Sequence, residues 1–122
     1  MEQSKSLRMS FLAQTTDINY HGNVHGGNVM KWIDEAAYAL AVKFSQKNCA
    51  TKFVDDIEFL APIHIGDLVL IEAHIQKVGH TSIRIHVDVS SENLFQNSIK
   101  KNCECDIVFV AIDEKGKKTT IN

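Results

Sequence analysis

The residues best equipped for chemistry stand close together. In Asn23-Val24-His25-Gly26-Gly27 two side-chain-free residues precede a helix-forming run, and the adjacent acids Asp34 and Glu35 follow inside it. The first backbone N–H groups of a helix have no partner within it, and glycines there let a ligand oxygen come close to those donors. Gly26 and Gly27 therefore read either as an anion or oxyanion site or as a tight turn. At ~100° per residue, Asp34 lies about a quarter turn from the middle of the stripe formed by Ile33, Leu40 and Phe44, while Glu35 falls almost opposite it. A carboxylate on that margin can be desolvated enough to act as a base while the helix dipole keeps it ionised. The competing reading is an ordinary acid in the N-terminal half of a helix. Glu35 reads as a solvated surface acid.

Other constellations carry less. His21-x-x-x-His25 has metal-ligand spacing but lies ahead of the helix and lacks both a carboxylate and a third nearby histidine, so no metal is expected. His64, His74, His80 and His86 fall on loops and polar strand faces and read as surface residues. No G-x-G-x-x-G, P-loop or G-x-S-x-G pattern is present. Cys103-x-Cys105 is one residue short of the C-x-x-C spacing, and with Cys49 the count is odd, so free thiols in a reducing compartment are expected.

The elements that must hold these groups follow from periodicity. Asparagine, aspartate and glycine are concentrated between Asp17 and Gly27, which predicts a shaped loop. From Asn28 to about Lys47 there is neither Gly nor Pro, and Val29, Ile33, Ala36, Ala37, Leu40 and Phe44 recur at three- and four-residue steps, predicting an amphipathic helix about 30 Å long. The period then changes to two. Ile83, Ile85, Val87 and Val89 alternate with Arg84, His86, Asp88 and Ser90 in a strand from Thr81 to Ser91. Leu68 to Val78 alternates similarly, and Gly79-His80 is short enough for a hairpin between the two. Strands are also expected at Leu7 to Thr15, Lys52 to Leu60 and Glu104 to Asp113. One helix and an antiparallel sheet make an α+β fold, and a single helix cannot cover both faces of such a sheet, so self-association is expected.

Composition bounds the class. The chain has 122 residues, 44% hydrophobic, with 13 Lys+Arg against 15 Asp+Glu and a formal net charge of -2. This describes a single domain over residues 1–122 with a core large enough to need no staple. It lacks the basic surplus of a nucleic-acid binder. Neither a membrane span nor the apolar run of a secretory signal is seen, so no membrane insertion and a cytoplasmic location are expected.

The run from Asn23 to Ala37 closely resembles the hotdog-fold acyl-CoA thioesterases, nearest the YciA-like bacterial acyl-CoA hydrolases and the cytosolic brain-type acyl-CoA hydrolase. Phe59 to Asp67, Lys77 to Ile83 and the last strand, Ile107 to Asp113, extend the likeness over most of the chain. The resemblance implies a long central helix wrapped by a curved antiparallel sheet, and dimers whose sheets join edge to edge with active sites at the interface. It also implies assembly to a trimer of dimers, a hexamer. Asp34 then matches the catalytic carboxylate, Asn23 a polar partner from the opposite subunit, and Gly27 the residue whose N–H faces the thioester carbonyl. His25 and Gly26 flank the substrate, His25 either assisting or shaping the loop. Val78, Gly79, Thr81 and Ser82 match the segment that contacts coenzyme A. Lys77 offers local positive charge beside that turn, and Arg84 on the following strand reads either as a further phosphate contact or as a solvated surface residue. No cofactor is implied, because coenzyme A is part of substrate and product. The C-terminal Lys118-Thr119-Thr120-Ile121-Asn122 departs from relatives, which often continue with a Pro and further residues.

The expected activity is hydrolysis of fatty acyl-CoA, with Asp34 activating water or attacking directly. The alternatives are a non-catalytic acyl-CoA sensor on the same fold and a dehydratase, which would need a catalytic His paired with an acid.

Overall fold

The computed structural model describes residues 5–121. The signal-sequence reading, taken over the N-terminus, and the end of the C-terminal departure therefore fall partly outside the described residues. The elements are β1 (Ser6–Leu12), α1 (Gly26–Ser45), β2 (Asn48–Phe59), β3 (Leu68–Val78), β4 (Ser82–Asn93) and β5 (Ser98–Ile112). Among them lies one turn of 3-10 helix, Thr15–Asp17.

The helix buries the stripe its spacing predicts: Val29, Ile33, Ala36, Ala37, Leu40 and Phe44, joined by Trp32 and Ala41. It stops where Gln46 takes a left-handed conformation (φ 58°) and its N–H returns to the Val42 carbonyl at 2.7 Å. That closes one of the carbonyls a helix end leaves free. It begins two residues earlier than the apolar pattern suggests, so Gly26 and Gly27 belong to its first turn.

All strand pairings are antiparallel, in the order β1-β3-β4-β5-β2. Ile83, Ile85, Val87 and Val89 are fully buried in one cluster with the helix stripe. Register shifts in three of the four pairings, β2 with β5, β3 with β4 and β4 with β5, bend the sheet around α1. This is the hotdog arrangement: one long helix wrapped by a curved five-stranded antiparallel sheet.

Strand boundaries also differ from the sequence reading. β1 ends at Leu12, because Gln14 and Asp17 cap each other's backbone and start the 3-10 turn. β4 and β5 run on to a turn at Leu94 to Asn97, pairing Glu92 with Ile99 and Ser90 with Lys101. Apart from the exposed Ile99 that end of the ladder is polar on both strands, so backbone pairing continues where apolar alternation has stopped. β2 starts at Asn48, which brings Cys49 and Thr51 into the sheet.

β2 lies at the sheet edge, and Phe53, Val54, Ile57 and Phe59 on it are exposed. An edge strand of twelve residues with four exposed apolar side chains is a template for pairing with another chain. The outer face of the sheet is charged. Arg84 lies 2.7 Å from Asp55 and 2.8 Å from Asp106, and His86 Nδ1 lies 2.6 Å from Asp106.

Candidate active site

At the start of α1, His25 is the N-cap and makes no side-chain capping bond, while its carbonyl accepts the N–H groups of Asn28 and Val29 at 3.0 and 3.1 Å. The amides of Gly26 and Gly27 precede these and, by helix geometry, have no intrahelical acceptor. Neither glycine has a positive φ, and a Cβ on Gly27 would meet nothing within 4 Å. The turn reading therefore lacks a conformational cause, and the space beside Gly27 is open to an approaching group. Gly26 faces the Phe59 ring at ordinary contact distance.

The loop ahead of the helix is held by its own polar groups. Asn19 Oδ1 accepts the N–H of His21 at 2.9 Å and of Asn23 at 3.2 Å, and the Asn19 N–H donates to the Asn23 carbonyl at 2.7 Å. With Oδ1 so engaged, the two Nδ2 protons of the Asn19 amide are left for another acceptor. Asn28 Nδ2 ties the helix to the Asp17 carboxylate at 3.1 Å. Asn19, Asn23 and Gly26 line a cavity of about 380 Å³, closed on its other side by Phe59, Leu60 and Asn102.

Asp34 lies seven residues beyond Gly27, about 10 Å along the helix, and is not among the residues lining that cavity. It is half-buried and Glu35 is exposed, the phase that the helix spacing predicts. The Thr51 hydroxyl donates to Asp34 Oδ1 at 2.9 Å, leaving Oδ2 for another partner. Thr51 falls outside the strand expected from sequence, and its reach to Asp34 depends on the early start of β2.

The turn between β3 and β4 stands at the Thr51 end of the sheet: Thr51 pairs with Phe109, which pairs with Ile83. Gly79 donates its N–H to the Ser82 carbonyl at 2.8 Å, and a Cβ on Gly79 would come within 3.0 Å of Ser82 Oγ. The Gly79 N–H is thus used inside the turn, and the hydroxyls of half-buried Thr81 and Ser82 are the polar side chains it offers beside exposed Val78 and Lys77. Arg84, for which a phosphate contact is one reading from the sequence, is instead paired with Asp55 and Asp106, which raise its pKa. The Lys118 to Ile121 segment folds back, with Ile121 N–H on the His80 carbonyl at 3.0 Å. The cavity lies away from this turn: Cys103, which lines it, pairs with Val89 and through it with Ile71, about 23 Å along β3 from Val78.

His21 and His25 are not drawn into a metal-type cluster. The group of that kind among the described residues is His86, Asp88 and Glu104 on the outer sheet face, where the Lys101 ammonium bridges the two carboxylates. The three cysteines are free and buried. Burial pushes the Cys103 thiol up to about 11 and Cys105 to about 12, which keeps both protonated and unreactive.

Residues 21–94 match the family model described as the thioesterase superfamily. Protein VdlD of Helicobacter pylori is 34% identical over 93% of this chain, which spans 64% of that relative's length. Among solved structures, an acyl-CoA hydrolase from Staphylococcus aureus in complex with butyryl coenzyme A and coenzyme A superposes with a TM-score of 0.88 at 28% identity, covering 94% of this chain and 70% of that one. A hexameric thioesterase from Yersinia pestis gives a TM-score of 0.90 at 27% identity, covering 100% and 99%. For the S. aureus enzyme, alanine variants have been characterised at an aspartate, at an asparagine fifteen positions before it and at a threonine seventeen positions after it.

Proposed function

Since the chain belongs to the thioesterase superfamily, we propose that it hydrolyses acyl-CoA thioesters to the free acid and coenzyme A, with Asp34 as the base. The observation that carries this is the Asp34–Thr51 hydrogen bond. The offsets of the characterised S. aureus positions, counted from Asp34, arrive at Thr51 and at Asn19. Asn19 therefore takes the polar role that the resemblance gives to Asn23, and Asn23 shapes the loop through its backbone bonds to Asn19.

The chemistry needs a base for water, donors for the oxygen that becomes negative, and little acid help because a thiolate leaves readily. Asp34 Oδ2 takes a proton from water while Thr51 fixes the carboxylate through Oδ1. Gly27 N–H and Asn19 Nδ2 donate to the oxyanion, and the helix dipole adds to them. Direct attack by Asp34 would form an anhydride at the same place. Coenzyme A enters as substrate and leaves as product, so no step draws on a cofactor or metal.

One chain holds these groups in two halves, the base at the Thr51 end of β2 and the donors at the Phe59 end. An antiparallel pairing of two β2 edges about a two-fold axis reverses the strand, so the Thr51 end of one chain lies by the Phe59 end of the other. Two such composite sites per dimer result, with coenzyme A running out along Val78, Thr81 and Ser82. A trimer of such dimers is a hexamer, and the Yersinia relative is hexameric. No helix among the described residues is long and apolar enough to cross a membrane, and three buried free thiols fit a reducing, cytoplasmic setting.

The test is release of free thiol from a panel of acyl-CoAs. Wild type and Glu35→Gln should turn over, and Asp34→Ala should not while keeping its assembly. Binding of acyl-CoA without thiol release by the wild type would make the protein a sensor and overturn the hydrolase reading.

A further inference from the structure

Asn102 is an unusual residue for its place. It lies on β5 among buried neighbours at 2% exposure and lines the cavity that holds Asn19, Asn23 and Gly26. Its Nδ2 donates to the carbonyls of Pro62 at 3.1 Å and Ala61 at 3.3 Å. Two carbonyls can only accept, so they fix which end of the amide is nitrogen. The other end, Oδ1, is shut from solvent and has no hydrogen-bond partner. A buried acceptor left unpaired is costly, and native proteins seldom keep one without a use.

We propose that Asn102 is a specificity-determining residue whose Oδ1 accepts a hydrogen bond from a donor carried by the substrate close to the thioester. This rests on the thioesterase reading. With the thioester carbonyl at the Gly27 N–H, two parts of an acyl-CoA present donors within a few bonds: a hydroxyl on the acyl chain at carbon 3, and the pantetheine amide N–H nearest the sulfur. Both offer the same chemistry to Oδ1. Oδ1 is sealed in the single chain, so a donor in the cavity reaches it only as the wall gives way, and the Phe59 ring, 56% exposed and within van der Waals range of Gly26, is the wall residue with room to move. A site built around a buried acceptor discriminates strongly against the analogue that lacks the donor, because the acceptor then stays unpaired.

The experiment uses two ligand pairs. 3-Hydroxybutyryl-CoA against butyryl-CoA tests the acyl hydroxyl, and butyryl-N-acetylcysteamine against the butyryl thioester of an amide-free thiol tests the amide. Each is read as kcat/KM with wild type and as Kd by calorimetry on the non-turning Asp34→Ala protein. At least one pair should favour the donor-bearing member by about ten- to a hundredfold, and the pair that does so identifies the donor. Asn102→Leu should bring that preference to within about threefold. Asn102→Ala, smaller and without an acceptor, serves if the leucine variant does not fold. Equal handling of both pairs by the wild type overturns the proposal, as does a preference that survives both substitutions. The two readings fail separately: absent thiol release with a retained Kd preference removes the hydrolase, and turnover without preference removes the acceptor role.

Discussion

Replacing Thr51 by Val isolates the contact on which the proposed base depends. Val keeps the β-branched shape that suits a strand and removes only the hydroxyl that donates to Asp34 Oδ1 at 2.9 Å. A hydrogen bond to an ionised group contributes about 1.5–3 kcal/mol when shielded. Thr51 is exposed in the single chain, so the lower value applies there, and the higher one once a second β2 edge covers it. At about 1.4 kcal/mol per tenfold in rate, kcat should fall about ten- to a hundredfold. KM should stay near wild type, because Thr51 holds the base and not the substrate. Thr51→Ser retains the donor and should keep most of the activity, which separates orientation of Asp34 from any requirement for the methyl group. Stability of the single chain should change by less than about 0.5 kcal/mol, since Thr51 is exposed there. Thiol release from butyryl-CoA under saturating conditions, with urea unfolding as a control, reads both. A Val variant with wild-type kcat, or a Ser variant as impaired as Val, would refute the reasoning.

Three further outcomes follow from the same geometry. Co-assembled Asn19→Ala and Asp34→Ala chains should exceed the activity of either parent, because each mixed dimer regains one intact composite site; mixing confirmed by mass without such a gain places both residues in one chain's site. Thr81→Ala with Ser82→Ala should raise KM for acyl-CoA more than it lowers kcat, and an unchanged KM removes the β3–β4 turn from the coenzyme A path. Stability should be highest between roughly pH 4 and 6.5, limits set by ordinary Asp and His pKa values. Burial pulls the His86 pKa down, but the Asp106 hydrogen bond and the Asp88 charge outweigh it and raise the value, so the His86 contribution is full below its ordinary value of 6.5 and is lost as pH rises through the raised one. Burial raises Asp88 and Asp106, yet Lys101 acting on Asp88 and His86 with Arg84 acting on Asp106 bring both below the usual range, so their contributions are lost as pH falls through the lowered values. Urea midpoints across pH should lose their alkaline decline in His86→Gln; an unaltered decline would place its origin elsewhere.

What the sequence makes legible is what periodicity controls. The phase of α1 separates half-buried Asp34 from exposed Glu35 because three apolar residues define a stripe, and β3 is bounded correctly because alternation from Val69 to Ile75 and the Gly79 turn mark it. Periodicity is silent where the backbone ladder outlasts the apolar pattern. Asn48 to Thr51 and the Ser98 end of β5 are strands because their partners are, with Asn48 paired to Ile112 and Ser98 to Asn93. Thr51 escapes a sequence reading for that reason. Asn19 escapes it for another: its proposed role lies in which end of its amide is left to donate, and two backbone N–H groups decide that only after the loop has closed.

The division of the candidate site follows from the fold itself. Helix α1 carries the Gly27 donors and the Asp34 base about 10 Å apart, too far for one water to serve both, and each half stands by a different end of the exposed β2 edge. A two-fold axis across that edge is the simplest operation that reverses β2 and so unites them. It also covers Phe53, Val54, Ile57 and Phe59, which a lone chain leaves in water. Pairing that buries the edge and pairing that completes the site are therefore one event, and a substitution that weakens the edge, such as Val54→Lys, should lower activity in step with the fraction of dimer.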